Sequence, residues 1–320
     1  MSAYYRIFDT TLSCDFPLPE LPESSPSGHS ISVKSGNPGN FDTAGFELSF
    51  EWCGQDDRAV CWCERRDEEY LFVFPGHARF HISPGVITCF KDDESSMQVL
   101  RHLLLDQIIP RYLATFGKLI LHASAVTLES GKSVAFVGNS GFGKSTLASS
   151  FHENEAALMG DDSILLDFCE DGVTVIAAYK SIRLFPDSVS AVFQKGSGFA
   201  EYIVNSNKQQ LILKSDQSGL PSEVRALDAL FLLEDPREID QGDTVSIELM
   251  SSSASLMAMI HCVFSLDPGD KQLIERNFRH IGRAINHQIG IYRLRYPRNH
   301  EMLPEVRAAV HECVARREFN

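Results

Sequence analysis

Nine consecutive residues, Gly138 to Thr146 (GNSGFGKST), constrain this chain more than any other stretch. Gly138 and Gly143 bracket Asn139, Ser140, Gly141 and Phe142, and Lys144 and Ser145 follow the second glycine directly. An interval of that length lets the chain curl with its backbone N–H groups turned inward as an anion nest. A lysine at this offset supplies a point charge for the β/γ-phosphates, and the serine hydroxyl is placed to hold Mg²⁺. The flanks agree with this. Ser133 to Val137 (SVAFV) is a short apolar run of strand type, and Thr146 to Phe151 (TLASSF) opens a helical pattern. In a strand-loop-helix unit the helix N-terminus adds its own dipole to the phosphate site. The nonapeptide, Gly138 to Thr146, therefore predicts binding of a nucleoside triphosphate, ATP with Mg²⁺.

The chain of 320 residues has room for two domains, or for one large domain with an appended module. A hydrophobic fraction of 43% and a charged fraction of 22% are those of a soluble globular protein. The longest apolar runs, such as Leu103 to Leu105 and Leu230 to Leu233, fall far short of a membrane span. The opening residues MSAYYRIFDT lack the basic and apolar regions of a secretory signal, so the expectation is a cytoplasmic protein without a membrane partner. Lys and Arg total 29 and Asp and Glu total 43, a net charge of 29 − 43 = −14. That balance works against nucleic acid as a partner. Of the eight cysteines, Cys61 and Cys63 flank Trp62 with Cys53 upstream, which is not the paired spacing of a zinc site. Alternation puts Cys61 and Cys63 on one strand face, as buried thiols.

Residues 1–95 read as a β-rich module. Pro17 to Ser30 is a proline-rich loop, and Phe46 to Trp52, Ala59 to Cys63, Tyr70 to Phe74, Ala78 to Ile82 and Val86 to Phe90 are short runs of strand type. Turn residues between them suggest an antiparallel meander. His77 and His81 fall on a turn and a strand, without the helix that a metal pair at this spacing needs. Residues 96–116 change to helical spacing, with Asp93 and Ser95 available as caps and Pro110 expected to kink or split the helix. The core, 117–320, begins with a strand at Leu119 to Val126 hairpinned to Ser133 to Val137. Helices are expected at Ala254 to Phe264, Asp270 to Asn286 and Pro304 to Arg317, and a strand at Ile289 to Tyr296.

Phosphoryl transfer needs a phosphate cradle, a metal and a group that orients or deprotonates the acceptor. Gly160-Asp161-Asp162 follows the loop helix after a short apolar run. Adjacent carboxylates at a strand end cannot point the same way, so one can serve the metal and the other the incoming hydroxyl. His122, on the strand hairpinned to the one that feeds the loop, is placed to reach the γ-phosphate region. Arg183 and Lys208 are further cations that could meet transition-state charge, or serve as ordinary surface pairs.

LHASAV, then FVGNSGFGKST, then GDD seventeen residues past the loop lysine resembles the catalytic domain of HPr kinase/phosphorylase. The whole chain is more similar to the HPr-kinase-related proteins of peptide-modification clusters, including the lasso-peptide precursor kinases. RHLLLDQIIPRYL, RLFPDS (Arg183 to Ser188) and IYRLRYPR (Ile291 to Arg298) carry that likeness. The chain departs from the better-known kinases in having Thr146 where they usually have glutamate, and Gly196 to Glu201 (GSGFAE) only loosely echoes their later signature. The resemblance implies an α/β P-loop core of the HPr-kinase type, PEP-carboxykinase-like, with a mixed sheet beside the N-terminal β-rich module. It implies catalytic roles for His122, Lys144, Asp161 and Asp162, with Asp161 as base and Ser145 and Asp162 on the metal; Arg183 is added to the catalytic set as a candidate cation for transition-state charge. It implies a peptide or small-protein hydroxyl as acceptor, and it allows a homo-oligomer. A small-molecule hydroxyl kinase and a nucleotide-dependent regulatory or scaffold protein are the alternatives.

Overall fold

The computed structural model describes residues 2–27, 30–37, 39, 41–53, 58–154, 156–170, 172–193, 208–212, 224–287 and 289–316. They form two compact units, Met1–Lys118 with Phe264–Arg276, and Leu119–Val263 with Asn277–Asn320. Residues 264–276 belong to the first unit. Gly196 to Glu201 lies outside the described residues.

The first unit is built on β1 (Ala3–Ile7), β2 (Thr10–Cys14), β3 (Ser30–Ser35) and β4 (Glu47–Cys53), followed by β5 (Ala59–Arg66), β6 (Glu69–Phe74), β7 (Ala78–Ser83) and β8 (Val86–Lys91). Their order in one sheet is β1-β2-β3-β8-β7-β6-β5-β4. From β4 to β8 each strand pairs antiparallel with the next, as a meander does. Ahead of that meander, β3 lies parallel to both β2 and β8. The proline-rich segment between β2 and β3 is long enough to carry the chain back across for a parallel pairing. Cys61 and Cys63 are buried on one face of β5, and burial pushes their thiols up to about 11 and about 12. The expected helix at 96–116 is three pieces: α1 (Met97–Leu103), a π-helical turn (Leu104–Ile108) and α2 (Ile109–Thr115). Ser96 caps it in place of Asp93 or Ser95, its hydroxyl accepting from the Val99 N–H at 3.2 Å. Pro110 sits in the first turn of α2, where its missing N–H costs nothing, so the break precedes the proline.

From Leu119 onward the chain continues as β9 (Leu119–Leu121), β10 (Ala123–Thr127), β11 (Ser133–Val137), α3 (Lys144–His152), β12 (Ala157–Gly160), β13 (Ile164–Cys169) and β14 (Gly172–Ala177). Next come β15 (Ser181–Leu184), α4 (Pro186–Val192), β16 (Gln209–Ile212), β17 (Val224–Leu233) and β18 (Ser246–Leu249). The last elements are α5 (Ser252–Ile260), α6 (Lys271–Asn286), β19 (Gly290–Arg295) and α7 (Leu303–Arg316). Nine of these strands form a mixed sheet in which β11, β17 and β19 run parallel and β10 antiparallel to β11. The single strand expected at Leu119 to Val126 is two. β9 pairs with β13, whereas β10 pairs with β11 and β12, and His122 stands at the break.

β11 has no polar face. Val134 and Phe136 pack with Leu147, Ala148 and Phe151 of α3 and with Val306 and Val310 of α7. Ala135 and Val137 pack on the other side with Met259 of α5 and with Ile281 and Ala284 of α6. A continuous apolar run is what a strand covered on both faces requires. That double burial fixes the end of β11, and with it the loop that follows.

Candidate nucleotide site

The loop leaves β11 at Val137, exposes its tip at Asn139, Ser140 and Gly141, and returns through Gly143. Gly143 takes φ 88, a left-handed conformation open to glycine, and that turn starts α3 at Lys144. The Lys144 ammonium reaches back to donate to the carbonyls of Gly138 at 2.8 Å and Asn139 at 3.0 Å. It is buried, and burial lowers its pKa to about 8 against the opposing pull of Asp162 and Asp161. An incoming anion would restore its full charge.

The two acids reach the loop through β12. Gly160 faces Ala125 of β10 in register, and a Cβ on Gly160 would stand 2.6 Å from the Ala177 Cβ and 3.2 Å from the Tyr179 carbonyl. Only glycine permits that approach. Asp161 is buried, and its Oδ1 accepts from the hydroxyls of Ser145 at 2.9 Å and Ser124 at 2.5 Å. Its Oδ2 accepts from the Arg183 N–H at 3.3 Å. Burial raises the Asp161 carboxyl, helped by the charge of Asp162, while the two serine hydroxyls oppose the rise. Asp162 has φ 65, and the Ser163 N–H bonds across it to the Asp161 carbonyl at 2.8 Å. This three-residue turn with positive φ is the rare, strained form. Its effect is to part the two acids: the Asp162 carboxylate pairs with Arg183 Nε at 3.2 Å.

His122 Nδ1 lies 2.8 Å from the Asp162 carbonyl. A carbonyl only accepts, so Nδ1 carries the proton and Nε2 is the acceptor nitrogen. Burial, then the charge of Lys144, lowers the ring to about 3, so His122 is a neutral hydrogen-bonding group at pH 7. Lys208 stands 5.1 Å over the Phe185 ring, and its charge bears on both His122 and Lys144.

The structure thus gathers His122, Lys144, Ser145, Asp161, Asp162 and Arg183 in one place. The Ser145 hydroxyl meets Asp161, not Asp162, because the turn at Asp162 carries the second carboxylate toward Arg183. Thr146 directs its hydroxyl to Ser188 of α4 at 3.3 Å. Sequence reasoning missed Ser124, two residues from His122 within the HASAV run. Ser145 and Asp161 are hard oxygen donors of the kind Mg²⁺ takes, so the residues present fit a metal-nucleotide complex. Among the described residues no helix is long and apolar enough to cross a membrane.

Residues 121–268 match the family model described as ABC transporter. No curated protein matches the chain. Among solved structures the chain is similar to the Hpr(Ser) kinase/phosphatase from Coxiella burnetii, with a TM-score of 0.34 and 13% sequence identity over 62% of this chain and 98% of that one. The model match covers the loop, the helix behind it and the acidic pair. Together with the loop geometry it makes the second unit a P-loop nucleotide-binding domain.

Proposed function

We propose that this chain is an ATP- and Mg²⁺-dependent kinase that transfers the γ-phosphoryl group to a serine or related hydroxyl of a peptide or small protein. The observation that carries the reading is the division of two adjacent acids between two environments beside one phosphate loop. Asp161 joins the loop serine, and Asp162 joins Arg183 and, through its carbonyl, His122. Nucleotide binding alone needs no second carboxylate. In this reading Ser145 and Asp161 hold Mg²⁺, which when bound neutralises charge on the phosphate oxygens. Asp162 takes the proton of the acceptor hydroxyl as the new O–P bond forms and the bond to ADP breaks, and Arg183 turns to the charge on the moving group. This reverses the split of roles expected for the two acids. The peptide acceptor rests on the sequence resemblance. A second reading, hydrolysis with water as acceptor, is favoured by the ABC transporter model match.

The test uses γ-labelled ATP, Mg²⁺ and serine-containing peptides encoded beside the gene, followed by mass spectrometry. Label on a peptide hydroxyl is expected. Asp162→Asn should cut transfer by about a hundredfold or more while ATP still binds. Release of inorganic phosphate alone would replace the kinase with a hydrolase. Tight ATP binding without turnover would leave a regulatory protein.

A further inference from the structure

Arg298 follows β19 and has no part in the roles above. Its guanidinium lies 4.2 Å from the centre of the Tyr296 ring, and its Nη2 donates to the Glu234 carbonyl at 2.9 Å. Tyr296 is itself buried in the core shared by α3 and α7. The Glu234 carboxylate pairs with a different cation, Arg293, at 3.3 Å. Arg298 Nε and Nη1 are buried and make no well-formed hydrogen bond, although the guanidinium lies close enough to the Tyr296 hydroxyl to oppose the rise that burial gives its pKa. The Nε side lies by the loop: a Cβ built on Gly143 would stand 3.8 Å from Arg298 Cδ and Nε, and 3.5 Å from the Tyr296 hydroxyl. A guanidinium held from behind by a ring and a carbonyl, with two buried donors unmet beside an anion nest, needs an acceptor from outside the chain.

We propose that Arg298 is a nucleotide-binding residue whose Nε and Nη1 donate to phosphate oxygens of the nucleotide on the loop. This rests on the loop as a nucleotide site, not on kinase activity. Tyr296 is its positioning residue, holding the guanidinium plane against Gly143. Three oxygen-binding cations then surround one ligand from separate elements: Lys144 from α3, Arg183 from β15 and Arg298 from beyond β19.

Isothermal titration of the full chain with ATP, ADP and adenosine tests this, on wild type, Arg298→Met and Arg298→Lys. Arg298→Met should weaken ATP and ADP by about tenfold or more and leave adenosine unchanged, because only the phosphates lose a charge-assisted bond. Arg298→Lys should recover part of that loss, and it serves alone if the methionine variant does not fold, with a several-fold loss still expected. Unchanged ATP affinity in the variants overturns the proposal. So does an equal loss for ATP and adenosine, which would mark a strut for the loop or a contact with the base. Failure of the wild type to bind ATP would instead remove the nucleotide reading itself.

Discussion

At the scale of single residues, the site depends on charges that the protein itself disfavours. Lys144 has a pKa of about 8 because its ammonium is buried, although Asp162 and Asp161 pull the other way. A bound phosphate chain adds negative charge and must raise that value. Below pH 7 Lys144 is protonated with or without ligand, and binding takes up no proton. Near and above pH 8 the free protein is partly deprotonated, so ATP binding takes up a proton and affinity falls as pH rises further. Titrations with ATP in saturating Mg²⁺, which keeps the terminal phosphate ionised, should at pH 8 give unequal binding enthalpies in Tris and in HEPES, whose ionisation heats differ, and these should converge at pH 6.5. Lys144→Met should bind ATP more weakly and show no such buffer dependence. Equal heats at pH 8 in the wild type would mean that Lys144 is already fully charged. The loop residues were legible in the sequence because their chemistry is local: glycines, lysine and serine act at fixed offsets. The separation of the Asp161 and Asp162 carboxylates was not, since it turns on φ 65 at one residue. Arg298 was not either, because only tertiary packing brings it to Gly143.

At the scale of elements, β12 decides whether an acid reaches the loop at all. Gly160 closes on Ala177 and Tyr179, so an added methyl must push β12 away from β14. Gly160→Ala is expected to lose about 1–3 kcal/mol of stability from overpacking. It should also move Asp161 off Ser145, so Mg²⁺-dependent transfer should fall further than ATP affinity measured without metal. Urea unfolding and metal-free titration check the two halves. Unchanged stability would show that the strands do not approach as closely as described. Elements with one strong period were legible: the strands from β4 to β8, β11 with its loop and helix, and α6 and α7 all lie within a few residues of expectation. What sequence periodicity lacks is partner choice. The run from Leu119 to Val126 reads as one strand because both halves are apolar, yet its halves serve different neighbours. β1, β2 and β3 were not singled out, and β3 takes one of its parallel partners, β8, from far along the chain. The π-helical turn before α2 has the same apolar residues an α-helix would, and only the hydrogen bonding differs.

At the scale of the whole molecule, the chain carries a net charge of −14, yet it concentrates cations beside its phosphate loop. Lys144, Arg183, Lys208 and Arg298 all belong to the second unit, as do His122, Asp161 and Asp162. The chain's two tryptophans, Trp52 and Trp62, both belong to the first. Trp52 packs 5.1 Å from the Phe72 ring and Trp62 donates to Glu64 at 2.8 Å, so each reports on the eight-stranded sheet. Each unit has its own sheet, and chains of this kind commonly depart from a single two-state transition. A ligand stabilises only states that bind it, by about 2.7 kcal/mol at a hundred times its dissociation constant. Urea unfolding with saturating ATP and Mg²⁺ should therefore shift the transition seen by far-UV circular dichroism, to which both units contribute. The shift in tryptophan fluorescence should be smaller. Equal displacement of the two signals would show that the chain unfolds as one cooperative body, with the energy of nucleotide binding shared by both sheets. No displacement of either would mean that the loop binds no nucleotide, whatever its sequence.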